Sequence, residues 1–132
     1  MLKVIVEAEI RPSEDPEKVK RAILNIIETE NILIEELGNG YYVMRALGYN
    51  KECLRPLRNA IRTQQIEPAF RSYLERYRHG ESIAILLHKQ ASYVGKISLI
   101  DSEKESPLGP IKLIITGDDD ELNEIVEYLT AE

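Results

Sequence analysis

The sequence predicts an α+β fold in which helices pack on a mostly antiparallel sheet. The chain has 132 residues, which is within the usual size of one domain. Apolar residues make up 43% of the chain and charged residues 30%, as in soluble globular proteins. Apolar side chains recur at every second position in some segments and at helical spacing in others, with neither an internal repeat nor a linker. Residues 1–132 are therefore expected to form a single domain.

The first third of the chain predicts a strand, a helix and a hairpin. Residues 3–10 alternate between apolar and polar side chains, which is the periodicity of a strand. Asp15 is a suitable helix N-cap, Pro16 suits the first helical position, and apolar residues then recur at helical spacing. Two strand-like segments flank Gly-Asn-Gly at 38–40, where glycines supply the positive φ angles of a tight hairpin turn.

The middle of the chain predicts two helices and a second hairpin. In the segment 53–65, three apolar residues form one helical stripe, and Pro56 is expected in the first turn, where proline is tolerated. The next helix is expected over 67–80, because this segment opens with a proline and closes with a glycine. The apolar run 82–88 has the length of a buried strand, and residues 92–99 are its expected partner across a polar corner.

The last third predicts a loop over 101–110, a strand over 111–116 and a final helix over 118–132. Asp118 and Glu121 have the spacing of a capping box. The run of three aspartates could also be read as a divalent-metal cluster, but consecutive aspartates cannot surround a cation as spaced ligands do. The predicted order is therefore strand, helix, two strands, two helices, three strands and helix.

No motif in the sequence indicates catalysis, a metal or a cofactor. Cys53 is the only cysteine, so we interpret it as a small buried apolar residue rather than a nucleophile. His79 and His88 are interpreted as residues at the ends of a helix and a strand. The sequence contains no phosphate-binding glycine loop and no hydrolase motif. It also lacks a membrane-spanning run and a secretory signal, so a non-enzymatic cytoplasmic protein is expected.

Charge is distributed unevenly along the chain, whose net charge is −6. Residues 1–44 carry a net charge of −4, residues 45–96 carry +6 and residues 97–132 carry −8. The positive segment contains Arg55, Arg58 and Arg62 at the spacing of one helical face, followed by Arg71 on the next predicted helix. Guanidinium groups are suited to phosphate. Nearby glutamates could instead neutralise them, which would leave an ordinary solvated surface.

The predicted corner within HKQASYVGKISL, residues 88–99, holds a second set of candidate binding residues. Lys89 and Lys96 can contact phosphate, Gln90 can bond to a base or sugar edge, and Tyr93 can stack on a base. These are the usual materials of RNA binding. The alternative is a structural hairpin in which Gln90 caps backbone groups and Tyr93 packs inward.

Three segments together resemble an uncharacterised archaeal family described as predicted RNA-binding and predicted exosome-associated. They are HKQASYVGKISL, SPLGPIKL and AEIRPSEDPEKVKRAILNI, and the resemblance spans residues 3–129. It implies a fold like that of the ribosomal protein that binds 5S RNA. The K-Q-A-x motif of the family corresponds to residues 89–92 and its proline-leucine-glycine motif to 107–109. Where the family has ILDAAR this chain has IEPAFR, so Pro68 replaces the family's aspartate.

The leading hypothesis is a non-enzymatic RNA-binding protein, with a possible partner in RNA processing or degradation. The proposed RNA-binding residues are Arg55, Arg58, Arg62, Arg71, Lys89, Gln90, Tyr93 and Lys96. A second hypothesis is an assembly module that forms a homodimer or docks on another protein without binding nucleic acid. A third is a small-molecule regulatory domain of the ferredoxin-like type.

Overall fold

The computed structural model describes residues 1–131 and confirms the predicted α+β fold class. Over these residues the strands are β1 (Lys3–Ile10), β2 (Ile32–Gly38), β3 (Tyr41–Gly48), β4 (Arg78–His79), β5 (Ser82–His88), β6 (Leu99–Ile100) and β7 (Pro110–Thr116). The helices are α1 (Pro16–Leu24), α2 (Arg55–Gln64), α3 (Glu67–Arg76), α4 (Lys89–Tyr93) and α5 (Asp119–Thr130), with short 3₁₀ turns before α2 and β7. None of the helices in this range has the length and apolar character needed to cross a lipid bilayer.

All strand pairs of the sheet are antiparallel, in the order β2-β3-β1-β7-β5, and both β4 and β6 pair with β5 at its outer edge. The central strand β1 places Val4, Val6 and Ala8 on the face that carries the core, where they are at most 2% exposed. The alternating residues Ile5 and Ile114, which pair across β1 and β7, are only partly buried on the opposite face. The helices therefore pack on one face of an open sheet.

The local signals for helix caps and the first hairpin are confirmed. The Asp15 carboxylate accepts a hydrogen bond from the backbone N–H of Glu17 at 3.0 Å, which satisfies a free donor at the start of α1. Asp118 and Glu121 form the predicted capping box of α5, with reciprocal bonds of 2.8 and 2.9 Å. Residues 38–40 all have positive φ, as a two-glycine turn allows.

The predicted second hairpin is wrong in its returning strand. Residues 89–93 form the helix α4 instead of a corner, because the Nδ1 atom of His88 accepts a hydrogen bond from the N–H of Ala91 and caps the helix. Only Leu99 and Ile100 return to pair with β5. The position of His88 at a strand end is confirmed.

The predicted end of the second central helix also needs correction. Helix α3 ends at Arg76, and His79 lies in the two-residue strand β4 rather than at a helix end. Gly80, with a φ of +60°, makes the turn from β4 into β5. Gly80 therefore marks a hairpin turn. Sequence periodicity alone does not distinguish a glycine in such a turn from a glycine that ends a helix.

Cys53 is buried, as predicted, and its environment determines its reactivity. Burial raises the pKa of the Cys53 thiol to about 11, although hydrogen bonding with the backbone of Asn50 lowers it in part. Because the thiolate is the reactive form, we expect the native protein to resist alkylation at pH 8. Titration with a thiol reagent should detect no reactive thiol in the native protein and one thiol after denaturation. Rapid labelling of the native protein at pH 8 would contradict the burial.

Candidate functional site

Arginines on α3 and just after it are paired with acids, two of which belong to α5. The Nη2 atom of Arg71 lies 2.6 Å from a carboxylate oxygen of Glu127, and its Nε lies 3.4 Å from Glu75. Arg78, just beyond α3, lies 3.0 Å from Asp119. These pairs connect the positive middle segment to the negative C-terminal segment. Charge summed along the sequence therefore overstates the positive charge that the folded surface presents.

The arginine stripe of α2 has three different environments. Arg55 lies 3.5 Å from a carboxylate oxygen of Glu28, and the guanidinium of Arg58 lies over the ring of Tyr128, 4.8 Å from its centroid. Arg62 is exposed and has no carboxylate within 4.0 Å among residues 1–131. The expected positive surface across α2 and α3 is thus interrupted, since Arg55 and Arg71 are paired.

Lys89 was expected to be accessible to solvent, and this prediction is wrong. The residue is 3% exposed, and its Nζ donates to the carbonyl oxygens of Glu9 and Leu108 at 2.7 and 2.5 Å. Nζ also lies 3.1 Å from the Glu14 carboxylate, whose side chain is 8% exposed. Burial lowers the pKa of Lys89, and the hydrogen bond that Lys89 donates to Glu14 opposes that shift. Three partners occupy its three donors, so this ammonium joins segments of the fold instead of facing solvent.

The other candidate residues of this segment lie on α4 and just after it, and Tyr93 faces α1. Gln90 and Lys96 are exposed, and the ring of Tyr93 is half-buried against the core. Lys18 and Arg21 of α1 each place their charged group 5.6 Å from the centroid of the Tyr93 ring. This distance is within the range of cation–π attraction. We call Lys18, Arg21, Gln90, Tyr93 and Lys96 the corner surface.

Two amide side chains hold the corner surface in place. The Asn25 carboxamide, just after α1, donates to the carbonyl oxygen of Ser92 at 2.8 Å and to that of Tyr93 at 3.3 Å. Gln64, at the end of α2, donates to the carbonyl of Ile97 and accepts from its N–H, at 2.9 and 2.6 Å. The backbone on both sides of Lys96 is therefore fixed by bonds to neighbouring helices.

The cations of the corner surface differ from the α3 arginines in their surroundings. Lys18, Arg21 and Lys96 have no carboxylate within 4.0 Å among the residues that the structure describes. Sequence reasoning missed Lys18 and Arg21, because residues 1–44 carry a net negative charge. Their spacing of three on a predicted amphipathic helix was the available signal, since residues three apart share a face.

The sequence and the fold of this chain are similar to those of known proteins. A family model described as RNA binding matches residues 3–116. A UPF0201 protein of Sulfurisphaera tokodaii is 41% identical over 131 residues, covering 98% of this chain and 88% of that protein. A second, from Metallosphaera sedula, is 40% identical over 129 residues, covering 98% and 87%. The crystal structure of a UPF0201 protein from Methanococcus jannaschii is 27% identical, with a TM-score of 0.81 and coverage of 98% and 93%.

The family model identifies the class of this protein: it matches an RNA-binding family over most of the length of the chain. The chain belongs to that family, and archaeal UPF0201 proteins are among its relatives.

Proposed function

We propose that this protein binds RNA without acting as an enzyme, and that RNA contacts the corner surface. The observation that carries the proposal is the pair of exposed cations, Lys18 and Arg21, that lie 5.6 Å from the centroid of the Tyr93 ring and have no acid paired to them among residues 1–131. Lys96, which is also exposed and has no paired acid in that range, follows Tyr93 closely along the chain. The RNA-binding description of the family supports the RNA-binding part of this proposal. We also propose RNA processing or degradation as the cellular setting, which rests on the family resemblance.

The corner surface offers two kinds of contact. Lys18, Arg21 and Lys96 can hold backbone phosphates, which position a nucleic acid without reading its sequence. Tyr93 can stack on a base, and Gln90 can bond to a base edge. Since bases inside a duplex are not available for stacking, single-stranded or looped RNA is the expected ligand.

A binding assay at several salt concentrations tests this function. Single-stranded, duplex and structured RNA are compared by fluorescence anisotropy. If three phosphates are contacted, the logarithm of the affinity for single strands should fall with the logarithm of salt with a slope of about −2. Preference for single strands is expected because stacking adds to the phosphate contacts. Absence of binding at low salt would contradict the proposal.

Self-association is a second candidate function, favoured by the open face of the sheet. Leu47, Ile5 and Ile114 pair in a row across β3, β1 and β7 and form an aliphatic strip on this face. The adjacent row contains Arg45 and Glu7 in a 2.8 Å ion pair, so the face carries both signs of charge. A two-fold partner could match such a surface. If sedimentation gives the mass of a dimer and the binding assay detects no affinity for RNA, self-association is favoured over RNA binding.

A further inference from the structure

We propose that the groove beside the corner surface accepts one unpaired nucleobase of the bound RNA. The inference rests on the proposed RNA binding and specifies what part of the ligand enters the protein. The groove runs between the first half of α1, the helix α4 and the loop at Leu108. Its volume is about 360 Å³, which falls in the roughly 300–1,000 Å³ range of small-molecule sites.

The walls of the groove favour a neutral, planar group. Val19 and Ala22 are at most 3% exposed and give it an apolar side. The Glu14 carboxylate and the Lys89 ammonium lie in its lining as a pair 3.1 Å apart, so their charges compensate each other. Lys89 has its three partners already. A base placed against this pair and the apolar side is buried without the desolvation of an unpaired charge there.

A phosphate group is the less suitable occupant of the same groove. Asp15 lines it, and its carboxylate, which is paired with no cation among residues 1–131, would repel an anion. Asp15 is held by its bond to the N–H of Glu17, while Glu14 accepts from the N–H of Arg11 at 2.9 Å as well as from Lys89. Their positions are therefore fixed. The cation at the groove's edge is Lys18, and Arg21 lies one turn further along α1. This arrangement places phosphates at the rim and a base inside.

Two side chains of the groove can recognise the base. The carboxamide of Gln90 is exposed and makes no side-chain hydrogen bond to any other residue in the range 1–131. It offers a donor and an acceptor, which is the pattern needed for the edge of a base. Tyr93 adds an aromatic ring to the lining. Stacking on such rings tolerates all four bases, so Gln90 is the expected source of any base preference.

The experiment compares RNA strands of about eight nucleotides, a length within the usual range of single-strand sites. One strand carries all its bases, one is a fully abasic ribose-phosphate chain, and a third has one base in an otherwise abasic chain. We expect the abasic chain to bind about 5- to 150-fold more weakly, which corresponds to the loss of one stacked base. The single base should restore most of that loss, because one groove accepts one base.

The matched variants are Gln90→Ala and Asn59→Ala, since Asn59 is an exposed amide on α2. Gln90→Ala should reduce the difference in affinity between strands whose single base differs, with an unchanged salt slope. Asn59→Ala should leave both quantities as in the parent. If the abasic chain binds as tightly as the complete strand, with the same salt slope, the base-accepting groove is wrong and the phosphate-binding surface stands. If no strand binds at low salt, the proposed function itself is wrong.

Discussion

Replacing Lys89 by alanine is expected to lower the free energy of unfolding by about 3–5 kcal/mol, the usual cost of breaking a buried ion pair. The change removes the partner of Glu14, whose side chain is 8% exposed, and leaves a buried carboxylate without its counter-charge. It also removes the donor to the carbonyls of Glu9 and Leu108, which belong to distant parts of the chain. Urea denaturation followed by circular dichroism measures the effect.

Two further variants make this prediction specific. Lys96→Ala removes the same type of side chain from an exposed position and should change the stability by less than about 0.5 kcal/mol. The double variant Lys89→Met with Glu14→Gln removes both charges together, so it should be more stable than Lys89→Ala alone. If Lys89→Ala unfolds at the same urea concentration as Lys96→Ala, the ammonium does not join these segments, and its original assignment to RNA phosphate would regain support.

The parts of the fold that were predicted correctly depend on neighbours in sequence. The Asp15 cap, the capping box of Asp118 with Glu121 and the turn at 38–40 each involve residues within three positions of one another. Such signals are complete in the sequence, because the interacting groups are necessarily close in space. The alternating pattern of β1 was equally reliable, since strand periodicity alone assigns each side chain to a face.

The errors concern side chains whose partners lie far along the chain. Lys89 reads as a polar surface residue, yet its partner Glu14 is 75 positions away. Arg71 reads as an unpaired cation until α5 brings Glu127, 56 positions later, to within 2.6 Å. Periodicity identifies the face on which a residue lies but does not identify what covers it. The charge of a surface therefore requires the tertiary fold, whereas the elements themselves largely do not.

The second large effect is expected from the double variant Lys18→Ala with Arg21→Ala. Neither side chain has a carboxylate partner within residues 1–131, so each charge is available to a phosphate. Removing two phosphate contacts should reduce the slope of log affinity against log salt by about 1.4 for single-stranded RNA, which is roughly a 25-fold loss at about 0.1 M salt. The fold should be little affected, because each exposed cation–π contact with Tyr93 contributes only about 0.5–1 kcal/mol.

The matched control is Arg62→Ala, which removes an exposed arginine from α2. Positions 58 and 64 lie about 120° apart around that helix. Arg58 contacts α5 and Gln64 contacts the segment after α4, so the arginine stripe and the corner surface occupy different sides of α2. RNA bound at the corner surface should therefore be insensitive to Arg62→Ala, in both affinity and salt slope. A loss with Arg62→Ala and none with the α1 double variant would instead move the phosphate-binding site to α2, where the sequence alone had first suggested it.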